Sequence, residues 1–188
     1  MTRTVVDAAF LPRVTGDHSL LGMYRETSPT LVSALDFRLS PHGFAIVEPD
    51  EASRSLGIVR GYHRKTWNTN RAVFLARPES EGAEGLRAYV EALRRESGRV
   101  FGSSWWSQLG LQVVFEVEGA PPSEATLQSL VAMFNTQGIL IQSVFAIEPS
   151  TLARTSARTW GQMITGKFQD AIASAFDDMA AKLSLIHI

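Results

Sequence analysis

Cysteine is absent from this chain of 188 residues, so disulfides, thiolate metal sites and cysteine nucleophiles are excluded within it. Histidine is scarce. His18, His42 and His63 are scattered without the i,i+4 spacing that brings two ligands onto one helix face, so no metal site is expected. An excess of one charge is also missing. Eighteen basic residues stand against 19 acidic ones, for a net charge of −1. That balance argues against whole-surface attraction to nucleic acid or anionic membrane and leaves room only for a local basic patch. Long apolar runs are lacking too: "GILIQSVFAI" is about half of what a membrane-spanning helix needs. The opening "MTRTVVDAAFLPRVTG" is a poor secretion signal, because Asp7 breaks its short apolar stretch.

Nucleotide signatures are missing as well. "SARTWGQMITGK" has glycine, threonine and lysine but not the G-x-x-x-x-G-K-[ST] spacing, and no G-x-G-x-x-G follows a strand. Nothing calls for a cofactor. The expectation is a cytoplasmic protein without membrane contact, formed of one globular domain over residues 1–182 and long enough to bury a core.

The apolar pattern divides the chain in two. Residues 1–70 are turn-rich and read as β and irregular structure. In "SALDFRLSPHGFAIVEP", Leu35, Phe37 and Leu39 alternate with Asp36 and Arg38, Ser-Pro-His-Gly offers a turn, and "FAIVE" returns, which predicts a hairpin. From residue 71 the rhythm changes. "RAVFLAR" is a continuous apolar run, as in a strand covered on both faces. In "EGAEGLRAYVEALRRESG", Leu86, Tyr89, Val90 and Leu93 fall at helical spacing, with Gly98 as the expected left-handed cap.

"LQVVFEVEG" reads as a strand, and "PPSEATLQSLVAMFNTQG" as a helix with Ser123 as N-cap and Leu127, Leu130, Val131 and Phe134 on its apolar face. "ILIQSVFAIEP" is a third strand. Trp160, Met163, Ile164, Phe168, Ile172 and Met179 trace one face of a long final helix. The fold class is therefore α/β: a β-α-β-α-β-α segment over about residues 71–182 forms a partly parallel sheet covered by helices, and the N-terminal hairpin region adds antiparallel strands at one edge.

The ending "LSLIHI" needs separate treatment. Leu183 to Ile188 can be spelled CTG TCT CTT ATA CAC ATC, which resembles the mosaic end of transposon-based sequencing adapters. An amphipathic helix also has no reason to finish in four large apolar residues without a cap. The expectation is that 183–188 are an adapter artefact and that the natural chain continues beyond Lys182, so His187 is set aside.

Three constellations bear on function. "RSLGIVRGYHRKTWNTNR" gathers Arg54, Arg60, Arg64, Lys65 and Arg71 with Tyr62, His63 and Trp67, and cations interleaved with rings can hold phosphates and stack on bases. Against this stands a solvated loop with Tyr62 and Trp67 packed inward. Trp105 and Trp106 in "VFGSSWWSQLG" suit either a contact surface or a cover over the core; the serines there miss the G-x-S-x-G elbow. Glu116, Glu118 and Glu148 fall near the C-terminal ends of two strands, where open α/β sheets bind ligands. The competing account is that these acids merely mark strand ends at solvent.

The leading expectation is a binding or interaction module that contacts nucleic acid or a protein partner through the basic and aromatic stretch. A hydrolase using Glu116, Glu118 or Glu148 with His63, and an assembly subunit that forms homo-oligomers through its final helix, are the alternatives.

Overall fold

A computed structural model describes residues 29–67, 70–102, 108–131, 138–159 and 162–186, the side chains of 29–30, 162–165 and 183–186 excepted. Helix α1 spans Pro29–Leu39 and leads through a single 3-10 turn, Ser40–His42, into strand β1, Ala45–Val47. Helix α2 is Glu51–Ser55; strands β2, Ile58–Lys65, and β3, Asn70–Ala76, follow it. Helix α3, Ala83–Phe101, leads to strand β4, Leu109–Glu116, and helix α4, Glu124–Val131, leads to strand β5, Ile139–Ile147. Strand β6, Arg154–Arg158, and helix α5, Gln162–Ile186, complete the described order.

The strands form one sheet in sequence order, β1-β2-β3-β4-β5-β6. The central pairs β3–β4 and β4–β5 are parallel, and antiparallel strands flank them on both sides. The fold is thus the expected α/β class, with a partly parallel sheet and antiparallel strands at the N-terminal edge. The crossover helices α3 and α4 between neighbouring parallel strands lie on the same face. Leu86, Val90, Leu93, Leu127 and Leu130 pack there on Phe74, Leu111, Val113 and Phe115. On the opposite face α1 and α5 bury Leu31, Leu35, Leu39, Phe168, Ile172, Phe176 and Met179 against Val73, Leu75, Val114, Phe145 and Ile147. Arg38 of α1 holds Asp178 of α5 through two bonds of 2.7 Å. Every residue of β3 is buried, in keeping with a strand covered on both faces.

Three expectations are corrected. Residues 33–39 are not a hairpin arm but part of α1. Leu31, Leu35 and Leu39, with Ala34, lie on a helical stripe facing the core, whereas Phe37 is 69% exposed. The N-terminal part is accordingly mixed rather than β-rich, and the antiparallel edge is built from 45–47 and 58–65. Second, α3 does not end at Gly98. It continues until Phe101 stacks on His63 at 4.5 Å, and Gly102, at φ 67°, ends it. Third, β6 runs through a stretch that carries no apolar signal beyond Ala157. Phe168, Ile172, Phe176 and Met179 of α5 are buried inside this chain against α1 and the sheet.

Ser123 does cap α4, its hydroxyl accepting from the Thr126 N–H at 3.2 Å. Among the described residues no helix is long and apolar enough to cross a membrane.

Candidate functional site

The basic and aromatic stretch forms strand β2 and the start of β3, and the two-residue period of a strand splits it. Arg60, Tyr62 and Arg64 face α1 and α5, while His63 faces α3. Arg60 is engaged by Asp36 at 3.0 Å and by Glu48. Tyr62 is buried and donates to Asp36 at 2.8 Å; burial, then that carboxylate, pushes its phenol well above the usual range. His63 shares a 2.7 Å hydrogen bond with Asn70 under the Phe101 ring. Lys65 and Trp67 are exposed at the hairpin end, Trp67 by 96%. The six described residues of the predicted binding set, Arg60, Tyr62, His63, Arg64, Lys65 and Trp67, therefore do not share one surface. Trp105 and Trp106 lie outside the described residues.

The strand register assembles a different group. Arg64 of β2 and Arg71 of β3 are direct cross-strand partners, an arrangement that places two like charges side by side. Their guanidinium carbons lie 5.2 and 4.9 Å from the centroid of Phe168, on the second turn of α5, and the Lys167 ammonium lies 5.1 Å from the same ring. His42 and Phe44 meet that ring edge-on at 5.6 and 5.4 Å.

Arg71 is 6% exposed, and its Nη1 is buried without a hydrogen-bond partner. No carboxylate lies within ion-pair distance of Arg64, Arg71 or Lys167 among the described residues. Burial first, and then the neighbouring Arg64, pull the Arg71 pKa below its ordinary value. Cation–π contact recovers about 0.5–2 kcal/mol, against a burial penalty of several kcal/mol for an unpaired ion.

Next to Arg71 on the same face, polar side chains replace the expected apolar ones. Val73 pairs with Gln112 on β4, Gln112 pairs with Ser143 on β5, and Ser143 pairs with Arg158 on β6. Gln112 and Ser143 are fully buried, and Gln112 Oε1, Gln112 Nε2 and Ser143 Oγ have no partner among the described residues. Gly110, the β4 partner of Arg71, leaves room that the Gln142 amide fills; a Cβ there would meet it at 2.5 Å. From α5, buried Gln169 donates to the Gln142 carbonyl at 3.3 Å while its Oε1 and that of Gln142 stay unpaired. Arg158 is drawn instead to Asp170, at 3.2 Å.

At the other end of the sheet the Glu116 and Glu148 carboxylates hold structure together, whereas Glu118 is engaged there through its backbone. Glu116 pairs with Arg77 at 3.3 Å. The Glu118 N–H donates to Glu81 at 2.9 Å. Glu148 accepts from Thr151 at 2.6 Å and from Ser150 twice at 3.0 Å, which together hold its carboxyl at about 2. His63 lies level with Leu111 through Ala72, five residues short of Glu116, or about 16 Å along the strand. It cannot act with these acids. Among the described residues no group of three metal-ligating side chains converges.

Gln112, Ser143 and Gln169 are the residues that sequence reasoning missed, although the signal was there. A parallel strand buried on both faces is apolar throughout by default, and "LQVVFEV" and "IQSVFAI" each interrupt that pattern with polar residues. No protein-family model matches the chain, and no significant match is found among curated proteins or solved structures.

Proposed function

We propose that this protein is a binding module for an anionic ligand, anchored by Arg71 with Arg64 and Lys167 beside it. The observation that carries the reading is the buried Arg71 guanidinium with no counterion among the described residues. A lone buried cation is costly, and an anionic oxygen brought by a ligand supplies the missing pair. The planar fork of a guanidinium favours phosphate or carboxylate. Burial of Arg71 favours a small anion over a polymer backbone. Single-stranded nucleic acid would instead meet the exposed Lys65 and Trp67 at the hairpin end.

The test is thermal unfolding against orthophosphate, sulfate and acetate, with Arg71→Met in parallel. Specific binding stabilises by about 2.7 kcal/mol at roughly a hundred times Kd, a rise of about 5–10 °C at this chain length. Phosphate and sulfate also stabilise proteins by exclusion, so the signal is the part of the rise that Arg71→Met removes. An equal rise in wild type and variant refutes the reading. Binding of a single-stranded oligonucleotide that needs Trp67 but not Arg71 also refutes it and moves the function to the hairpin end.

A further inference from the structure

We infer that the anion bound at Arg71 belongs to a small hydroxyl-bearing molecule, of the sugar-phosphate or hydroxy-acid class, whose neutral part lies along the buried Gln112, Ser143 and Gln169 side chains. The inference rests on the anion-binding reading and adds to it the class of ligand.

Arg71 and Gln112 sit on adjacent strands, two positions apart in register and on one face. Their Cα positions are diagonal neighbours, about 7–8 Å apart. Ser143 is the direct β5 partner of Gln112, and α5 brings Gln169 over the same face. Buried polar atoms are almost always hydrogen-bonded, so a group of unpaired ones on one face calls for partners, which a ligand can supply.

The chemistry of that group restricts what fits. Gln169 donates through Nε2 to a carbonyl, which fixes its Oε1 as an acceptor that still needs a donor. Both ends of the Gln112 amide are unpaired, so it asks for one donor and one acceptor whichever way the amide is turned. Ser143 offers a hydroxyl able to play either part. Ligand hydroxyls answer each of these demands, since each both donates and accepts. An apolar acid would leave all of them unmet, and orthophosphate would satisfy Arg71 alone.

The experiment compares Kd by calorimetry for orthophosphate, glycerol 3-phosphate, ribose 5-phosphate, glucose 6-phosphate, malate and butyrate. Wild type and Gln112→Leu/Ser143→Ala are used, with Gln112→Met as the milder variant. At least one hydroxylated anion is expected to bind wild type about tenfold or more tighter than orthophosphate and butyrate. The double variant is expected to lose that advantage while its orthophosphate Kd stays within about twofold. If no hydroxylated anion exceeds orthophosphate, or if the advantage survives in both variants, this inference is overturned and the anion site stands. If no anion binds in an Arg71-dependent way, the anion site itself falls.

Discussion

Replacing Arg71 with methionine should make the protein more stable and unable to bind. Methionine keeps the length and much of the volume of the side chain while removing the charge, so the Phe168 contact survives as apolar packing. An unpaired ion of this burial costs several kcal/mol, and the Arg64 guanidinium opposite adds repulsion. Cation–π contact with Phe168 returns only about 0.5–2 kcal/mol, which Arg71→Met forfeits. The balance favours methionine by about 1–4 kcal/mol, the range seen when buried ion pairs are replaced by apolar residues. At this chain length that is a rise of about 2–12 °C, read by calorimetry without phosphate, sulfate or carboxylate buffer. The same variant should lose the anion-dependent part of the stabilisation. A drop in stability would refute the reasoning, because it would make Arg71 part of what holds the fold together rather than a group waiting for a partner.

Two further outcomes test the fold and its turns. Leu35→Ala should cost about 2–5 kcal/mol and Phe37→Ala about 0.5 kcal/mol or less in denaturant unfolding, since Leu35 is buried and Phe37 exposed; comparable losses at both would restore the alternating strand in place of α1. Glu148 and Asp50 are both held at about 2, Glu148 chiefly by Thr151 and Asp50 by the Ser53 N–H and then Arg99. A carboxyl depressed in the folded state contributes stability above its unfolded pKa, near 4, and loses it as pH falls towards the folded value. Melting temperature should therefore fall between about pH 5 and pH 2, and the gap between wild type and Glu148→Gln should narrow over that window; a gap as wide at about pH 3 as at pH 7 would show that Glu148 acts through its shape, not its charge.

How much of this was legible in the sequence depends on which periodicity a stretch could satisfy. The apolar stripe of α3 and the unbroken run of β3 each fit one template only, and both elements form where the pattern puts them. Residues 31–39 fit two. Leu35, Phe37 and Leu39 alternate like a strand, while Leu31, Leu35 and Leu39 repeat every four like a helix, and packing against α5 decides between them. Strand β6 fits none, because an edge strand with one polar face needs little apolar surface; its single buried side chain is Ala157. Ion pairs of Arg154 and Arg158 with Asp177 and Asp170 place it under α5, and neither pairing can be read from spacing.

The candidate site was hidden for a related reason. A basic run suggests a solvated patch only if its side chains share a surface, and a strand gives alternate residues to opposite faces. Of the cations between 54 and 71, Arg60 is spent on carboxylates, Lys65 is left at the surface, and Arg71 is carried into the interior. The C-terminal ends of the strands, the usual place for a ligand in such sheets, are occupied by acids already committed to Arg77 and to the Ser150–Thr151 turn. Unmet hydrogen-bonding capacity gathers instead at the opposite end, between the sheet and the first turns of α5. Each unpaired buried group costs about 1–3 kcal/mol, so a folded chain holding several of them together has given up stability that apolar residues at the same positions would have kept. On the proposed reading a polar, anionic ligand recovers that cost, and this makes the interior polar residues, not the exposed basic ones, the basis of the proposal.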